Sequence, residues 1–334
     1  MTNEAAMVLE TVVKSVIVLA IVASLAGFAT YVERKILGFM HRRLGPMYVG
    51  PFGLLQAVAD VIKLFMKEDI VPQNSVKAIF CLAPLLIVAA TFTAFAAVPF
   101  FPEFEFGEYK TSAIISDINV GILFVIGVSS AGMYAPLLAG LGSANKWSIL
   151  GGARAVVQLL SFEVITALAI LAPVMLTGSL SLVDINNFQG GGVFDWLIWK
   201  QPVAFVLFCI AGFAETNRTP FDLLEQESEI VSGYITEYSG MRWALFFLGE
   251  YSNMILISFL VALMFLGGFN SLWFIPGSIM MLLKILGFMF FFMWARGAWP
   301  HIRPDQLMWL CWKILMPIAL LNVLITGIVL LLGA

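Results

Sequence analysis

Charge is the scarcest property of this 334-residue chain: Asp, Glu, Lys and Arg together make up 12% of it, against 61% hydrophobic residues. Soluble domains carry about 25% charged residues. With a mean hydropathy of +0.97, the composition excludes a soluble globular domain. Cysteine is nearly missing as well. Cys81, Cys209 and Cys311 are scattered through apolar stretches without metal-ligand spacing and are expected to be packing residues. His41 and His301 stand alone, so no His/Cys/carboxylate set suggests a metal. No Gly-rich phosphate loop follows a strand, which argues against nucleotide binding, and no internal repeat is evident. The chain is expected to carry no metal, no iron–sulfur cluster and no covalently bound cofactor, and to bind no nucleic acid.

What is present is membrane-spanning sequence. Apolar runs long enough to cross a hydrocarbon core of ~30 Å recur along the whole length. Eight are read, at about 12–33, 76–101, 113–139, 155–177, 199–214, 243–268, 277–296 and 307–332, the fifth being the shortest. The fold expected is all-α, a polytopic integral membrane protein forming a single membrane domain. The first run is not expected to be a cleaved signal, because Glu4 and Glu10 precede it and Glu33, Arg34 and Lys35 close it. All 18 Lys and Arg residues except Lys14, Lys110, Lys200 and Lys284 fall on or beside the loops after the odd-numbered spans. The positive-inside rule makes those loops cytoplasmic and puts both termini in the periplasm.

Two of these loops are unusual. The first, residues 34–75, holds Gly45-Pro46 and Gly50-Pro51 as turn signals. Phe52–Lys67 then reads as an amphipathic helix, with Gln56, Asp60, Lys63 and Lys67 making one polar stripe among Leu54, Leu55, Val58, Val61, Ile62 and Phe65. Too short to span, it should lie in the interfacial plane, either as a simple anchor or as the wall of a cavity. Asp60 and Lys63, three apart, are positioned to pair.

The second loop, residues 215–242, gathers Glu215, Asp222, Glu225, Glu227, Glu229 and Glu237, with Glu250 just beyond. Carboxylates crowded at a membrane face point to proton handling or cation binding, although a solvated acidic loop is the plain alternative. Thr219-Pro220-Phe221-Asp222 fits a helix start, with Thr219 as N-cap and Asp222 as the N3 acid, so Asp222 can be a cap as well as a site. Glu225 and Glu229 would share a face, where like charges favour a shared proton. Glu163 lies within the fourth span and Glu250 within the sixth, and an intramembrane carboxylate is a functional candidate by default. Lys284, two turns into the seventh span, is expected to snorkel outward.

Four stretches resemble one family: ERK…RRLGP…VGPFGLLQ.VAD.IKLF.KEDI.P at 33–72, RAVVQLLSFE at 154–163, AETNRTPFDLLEQESEIVSGYITEYSGMRWALFFLGEY at 214–251, and RGAWPHIRPDQLMWLCWKILMP at 296–317. They look like the H subunit of the bacterial proton-pumping NADH:quinone oxidoreductase, respiratory complex I, and the likeness runs over nearly the whole chain. The resemblance implies a bacterial inner-membrane translocase component without a redox cofactor of its own, with quinone as substrate. It would build much of the quinone chamber and couple quinone reduction to proton translocation. Its partners would be the peripheral iron–sulfur arm, the antiporter-like proteins of the membrane arm and the bilayer.

By the same resemblance Glu163, Glu215, Glu225, Glu227, Glu229 and Glu250 lie on a charged path out of the chamber. Glu33, Arg34, Arg43, Phe52, Asp60, Lys63 and Phe221 sit at or near the quinone, whose entrance is framed by the first span, the amphipathic helix and the sixth span. The chain departs from the family where Met47 and Tyr48 replace the usual Asn and Arg, at Leu224 in place of proline, and at Phe162 in place of tyrosine. Two rival readings remain. The related membrane component of membrane-bound hydrogenases shares the ERK, RxGP and ETNR elements. A stand-alone ion transporter would usually show broken helices in paired repeats.

Overall fold

The computed structural model describes residues 3–100, 104–106, 109–111, 114–224, 230–271 and 275–333. The chain is an all-α polytopic bundle. Its helices are α1 (Asn3–Met40), α2 (Gln56–Met66), α3 (Lys77–Ala94), α4 (Gly121–Gly132), α5 (Tyr134–Gly142), α6 (Lys146–Thr177), α7 (Leu182–Phe188), α8 (Leu197–Lys200), α9 (Pro202–Glu215), α10 (Gly240–Phe265), α11 (Gly277–Ala298), α12 (Pro304–Trp309) and α13 (Met316–Gly333). A π-helical stretch, Leu310–Leu315, joins α12 to α13. A small antiparallel hairpin, β1 (Phe104–Phe106) with β2 (Tyr109–Thr111), interrupts the connection after α3.

Seven helical stretches among the described residues are long and apolar enough to cross a membrane: Val8–Met40, Lys77–Ala97, Gly121–Gly142, Lys146–Thr177, Gly240–Phe265, Gly277–Ala298 and Pro304–Leu332. The expected fifth span is α9, with 14 residues. At 1.5 Å per residue it is about 21 Å long, short of the ~30 Å hydrocarbon core. Gln201 separates it from the one-turn α8, and it is a shorter apolar helix rather than one of the seven candidate spans.

Helix α6 is the hub, packed on α5, α9 and α13, while α10 packs on α1, α3 and α11. The ends of α6 are well specified: the Asn145 side chain accepts from the Trp147 N–H, and Gly178 closes the other end in the left-handed conformation (φ 67°). Close approach matters at Gly151. A Cβ there would lie 2.8 Å from the Gly233 Cα, so only glycine lets the 233–235 turn sit against α6. Most of α10 is buried, from Met254 through Phe265, whereas Leu321, Leu324, Ile328 and Leu331 of α13 are exposed.

Two local expectations are corrected. Thr219–Leu224 does not begin a helix; it is a turn containing a cis Thr219–Pro220 bond. Tertiary hydrogen bonds claim its carbonyls instead, with Gln158 Nε2 donating to Phe221 O at 2.7 Å and the Ile302 N–H to Pro220 O at 3.3 Å. Nor does Lys284 snorkel outward. It is 8% exposed and donates to Leu266 O (2.5 Å) and Gly268 O (2.8 Å), with its ammonium 4.5 Å from the Trp196 ring. The unpaired carbonyls at the end of α10 attract the cation more effectively than a distant interface does.

Candidate functional site: carboxylates among the helices

Among the described residues, three carboxylates besides Glu33 lie within the bundle, each accepting from a hydroxyl. Ser130 Oγ on α4 donates to Glu163 Oε1 on α6. Thr166, one turn further along α6, donates to Glu215 Oε1 at 2.6 Å. Tyr234, fixed by the turn that Gly151 admits, donates to Glu250 Oε1 at 3.0 Å. A hydroxyl can donate to a carboxylate or accept from a carboxylic acid, so each partner tolerates both protonation states.

Small polar cavities adjoin these acids. A cavity of about 40 Å³ is lined by Glu163, Glu215, Ser129, Ser130, Thr166 and Asn253 among apolar neighbours. A second, also about 40 Å³, is lined by Glu215, Glu250, Thr91, Ser129, Asn217 and Asn253. A water needs roughly 10–15 Å³ measured in this way, so each can hold two or three. Glu215 lines both cavities, so it stands between Glu163, which lines the first, and Glu250, which lines the second. Among the other expected acids, Glu225, Glu227 and Glu229 lie outside the described residues.

A second polar centre surrounds Glu33, which is 4% exposed in the last third of α1. Arg218 Nη1 donates to both of its oxygens, at 3.0 and 2.9 Å, and Tyr251 Oη donates to Oε2 at 2.9 Å. Arg296 Nη1, at the end of α11, forms a further close ion pair with Oε1. Burial opposes the Arg218 charge, but the Glu33 carboxylate outweighs it, so the guanidinium pKa stands above its ordinary value. Two guanidiniums on one carboxylate leave the centre with a net positive charge. It adjoins the acid path, since Arg218 attracts and Asp222 repels the charge of Glu250.

The amphipathic helix forms, but over Gln56–Met66 rather than from Phe52, which lies in a separate turn at Pro51–Gly53; α2 has no buried residue and packs on α1 and α10. Asp60 pairs with Arg34 (2.6 Å) and accepts from Gln56 Nε2 (3.1 Å); the expected partner, Lys63, is exposed and forms no bond to it. Arg43 is exposed, and Phe52, 72% exposed, adopts φ 54° where Tyr31 Oη holds its carbonyl at 2.9 Å. Phe221 is buried, its ring 5.4 Å from that of Phe162. Met47, one of the departures from the family pattern, accepts a hydrogen bond from Lys35 Nζ at 3.1 Å, and Tyr48 is fully exposed. The loop 34–75 and the loop 215–242 meet where Arg242 pairs with Asp69 (3.1 Å) and Ser239 Oγ donates to Glu68 O (3.0 Å).

Sequence reasoning does not find Ser130, Thr166, Tyr234 and Tyr251 as partners, and it reads Arg218 and Arg296 only as topological charges. The position of Arg218 three residues after Glu215 is the available signal for one of them.

Carboxylates enclosed by the helices of a polytopic membrane protein mark a functional site, and this chain is of that class. The NADH dehydrogenase family model matches residues 13–327. The chain is 66% identical over 325 residues to an NADH-quinone oxidoreductase H subunit of Wolinella succinogenes, covering 97% of this chain and 99% of that protein. The H subunits of a Nitratiruptor species and of Helicobacter hepaticus are 64% and 62% identical to it. They cover 98% and 97% of this chain and 99% and 98% of their own lengths. The chain belongs to the family of NADH-quinone oxidoreductase H subunits.

Proposed function

We infer that this chain walls the quinone-reduction chamber of a proton-translocating NADH:quinone oxidoreductase and transmits that reduction to carboxylates inside the membrane. The observation that carries the reading is that Glu215 lines one cavity with Glu163 and a second with Glu250. Quinone is the substrate that the family implies, and the peripheral iron–sulfur arm and the antiporter-like membrane proteins are the partners. The relatives' shared name favours this reading over a hydrogenase component. The Lys and Arg distribution supports an inner-membrane orientation with loops 34–75 and 215–242 in the cytoplasm and both termini in the periplasm.

Reducing a quinone to a quinol consumes two electrons and two protons, so charge changes in the chamber as the reaction proceeds. The centre of Glu33, Arg218 and Arg296 stands between the α2 side of the bundle and Glu250. A charge appearing near Arg218 alters how strongly Arg218 attracts the Glu250 carboxylate, and Glu250 then exchanges a proton along water toward Glu215 and Glu163. Glu225, Glu227 and Glu229 extend the same path on the cytoplasmic face, and Arg34, Arg43, Phe52, Asp60, Lys63 and Phe221 contribute to the chamber and its entrance.

The test is Glu215→Gln. The assembled complex is expected to oxidise NADH with quinone several-fold more slowly, while ferricyanide, which takes electrons from the peripheral arm, is still reduced. Wild-type quinone activity in the assembled variant would remove Glu215 from the path. Substitutions on the α2 stripe should act differently. Asp60→Ala and Lys63→Ala are expected to raise the KM for quinone more than they lower kcat, as for interactions that bind ground and transition states equally. Equal losses in both parameters would move these residues from the entrance to the coupling path.

A further inference from the structure

Asn253 occupies the junction of the two cavities. Among the described residues only Ser129, Met133, Glu215 and Asn253 line both, and Asn253 stands one turn beyond Glu250 on the same face of α10. Its Nδ2 donates to the backbone carbonyl of Glu215 at 3.1 Å. A carbonyl partner fixes the amide orientation, because only the NH2 side can donate. The Oδ1 atom is therefore turned away from Glu215 O, and it is a buried oxygen without a protein partner. Asn217 Oδ1, lining the cavity between Glu215 and Glu250, is in the same condition. Buried polar atoms are ordinarily paired with protein or ordered water, and Asn253 and Asn217 are both lining residues of polar space large enough for water.

We propose that Asn253 is a positioning residue that holds the water joining Glu215 to Glu250 on one side and to Glu163 on the other. Its NH2 group ties α10 to the end of α9, and its oxygen accepts from a water whose remaining valences reach the carboxylates. Protons then pass between acids through an oriented water rather than by direct contact. Asn217 supports the same water from the turn that follows α9. This inference rests on the reading of Glu163, Glu215 and Glu250 as a proton path.

The test uses the intact complex in proteoliposomes, with Asn253→Leu, Asn253→Ser and Glu215→Gln compared for quinone-linked NADH oxidation, proton pumping and the solvent deuterium isotope effect. Leucine removes the water-holding oxygen at similar volume. It is expected to lower turnover and pumping together, on the order of fivefold, and to enlarge the isotope effect. Serine is too short to reach the Glu215 carbonyl but leaves a hydroxyl and room for water, so at least half of the activity should return. Leucine and serine variants that are equally impaired would reduce Asn253 to a tether between helices and overturn the proposal. A leucine variant with wild-type turnover and isotope effect would overturn it too. If the leucine variant does not assemble, Asn253→Val replaces it with the same two outcomes. Glu215→Gln separates the levels: impaired Glu215→Gln beside normal Asn253→Leu refutes only the role of Asn253, whereas normal Glu215→Gln refutes the proton path itself.

Discussion

Glu33→Ala is expected to abolish stable assembly of the complex. The substitution removes the carboxylate that Arg218 and Arg296 share and leaves the Arg218 guanidinium buried without its ion-pair partner. Breaking one partner out of a buried ion pair costs about 3–5 kcal/mol, a large fraction of a typical folding margin of about 5–15 kcal/mol. The damage would spread because Glu33 ties four segments together: α1, the turn after α9, α10 through Tyr251, and the end of α11. Glu33→Gln keeps an acceptor for Tyr251 and Arg218 and should retain part of the assembled complex. Asp60→Ala is the control. It breaks an ion pair whose side chains are 50% and 28% exposed, and such pairs contribute about 0–1 kcal/mol. Native gel electrophoresis of solubilised membranes, with a thermal ramp, measures both. Wild-type abundance and melting in Glu33→Ala would show that the buried centre does not hold the bundle together.

Glu163→Ala is expected to lower quinone-linked turnover and proton pumping together, on the order of tenfold or more, equivalent to about 1.4 kcal/mol or more of added barrier. A tightly coupled enzyme cannot reduce quinone while its proton route is closed, so the two rates should fall in parallel. Glu163→Asp keeps a titratable group with a shorter reach, and Ser130 on the facing helix can still donate to it. It should retain a good part of both activities. The measurement is initial-rate NADH oxidation with a soluble quinone, normalised to ferricyanide reduction. Loss of turnover with the pumping ratio raised, or equal loss in Asp and Ala variants, would contradict a relay through Glu163.

Much of this architecture is legible in the sequence, for reasons particular to each element. The spans announce themselves by length and hydropathy, and α2 by the regular spacing of Gln56, Asp60, Lys63 and Lys67. Glu163, Glu215 and Glu250 stand out because a carboxylate in apolar sequence is rare. Their partners do not, since Ser130, Thr166, Tyr234 and Asn253 are ordinary residues for such helices and gain meaning only where α4, α6, α9 and α10 converge. The Glu33–Arg218 pair spans 185 positions, beyond any periodicity. At Thr219–Asp222 the capping pattern is sound locally but loses to long-range hydrogen bonds with Gln158 and Ile302. For Lys284, the free carbonyls that end α10 are invisible in a hydropathy pattern, so snorkelling is the wrong expectation. Glycine at 151 also carries information that emerges only from packing, since the turn holding Tyr234 depends on it.

The relay stands or falls on proton pumping by the Glu163→Gln complex in proteoliposomes. The amide keeps the volume of the side chain and an oxygen for Ser130, so packing and hydrogen bonding survive while the titratable proton is lost. The expected result is an assembled complex that reduces ferricyanide normally but neither turns over quinone nor acidifies the opposite compartment at more than a small fraction of the wild-type rate. Full pumping by Glu163→Gln would contradict it, leaving Glu163 as a carboxylate that only holds α6 against α4.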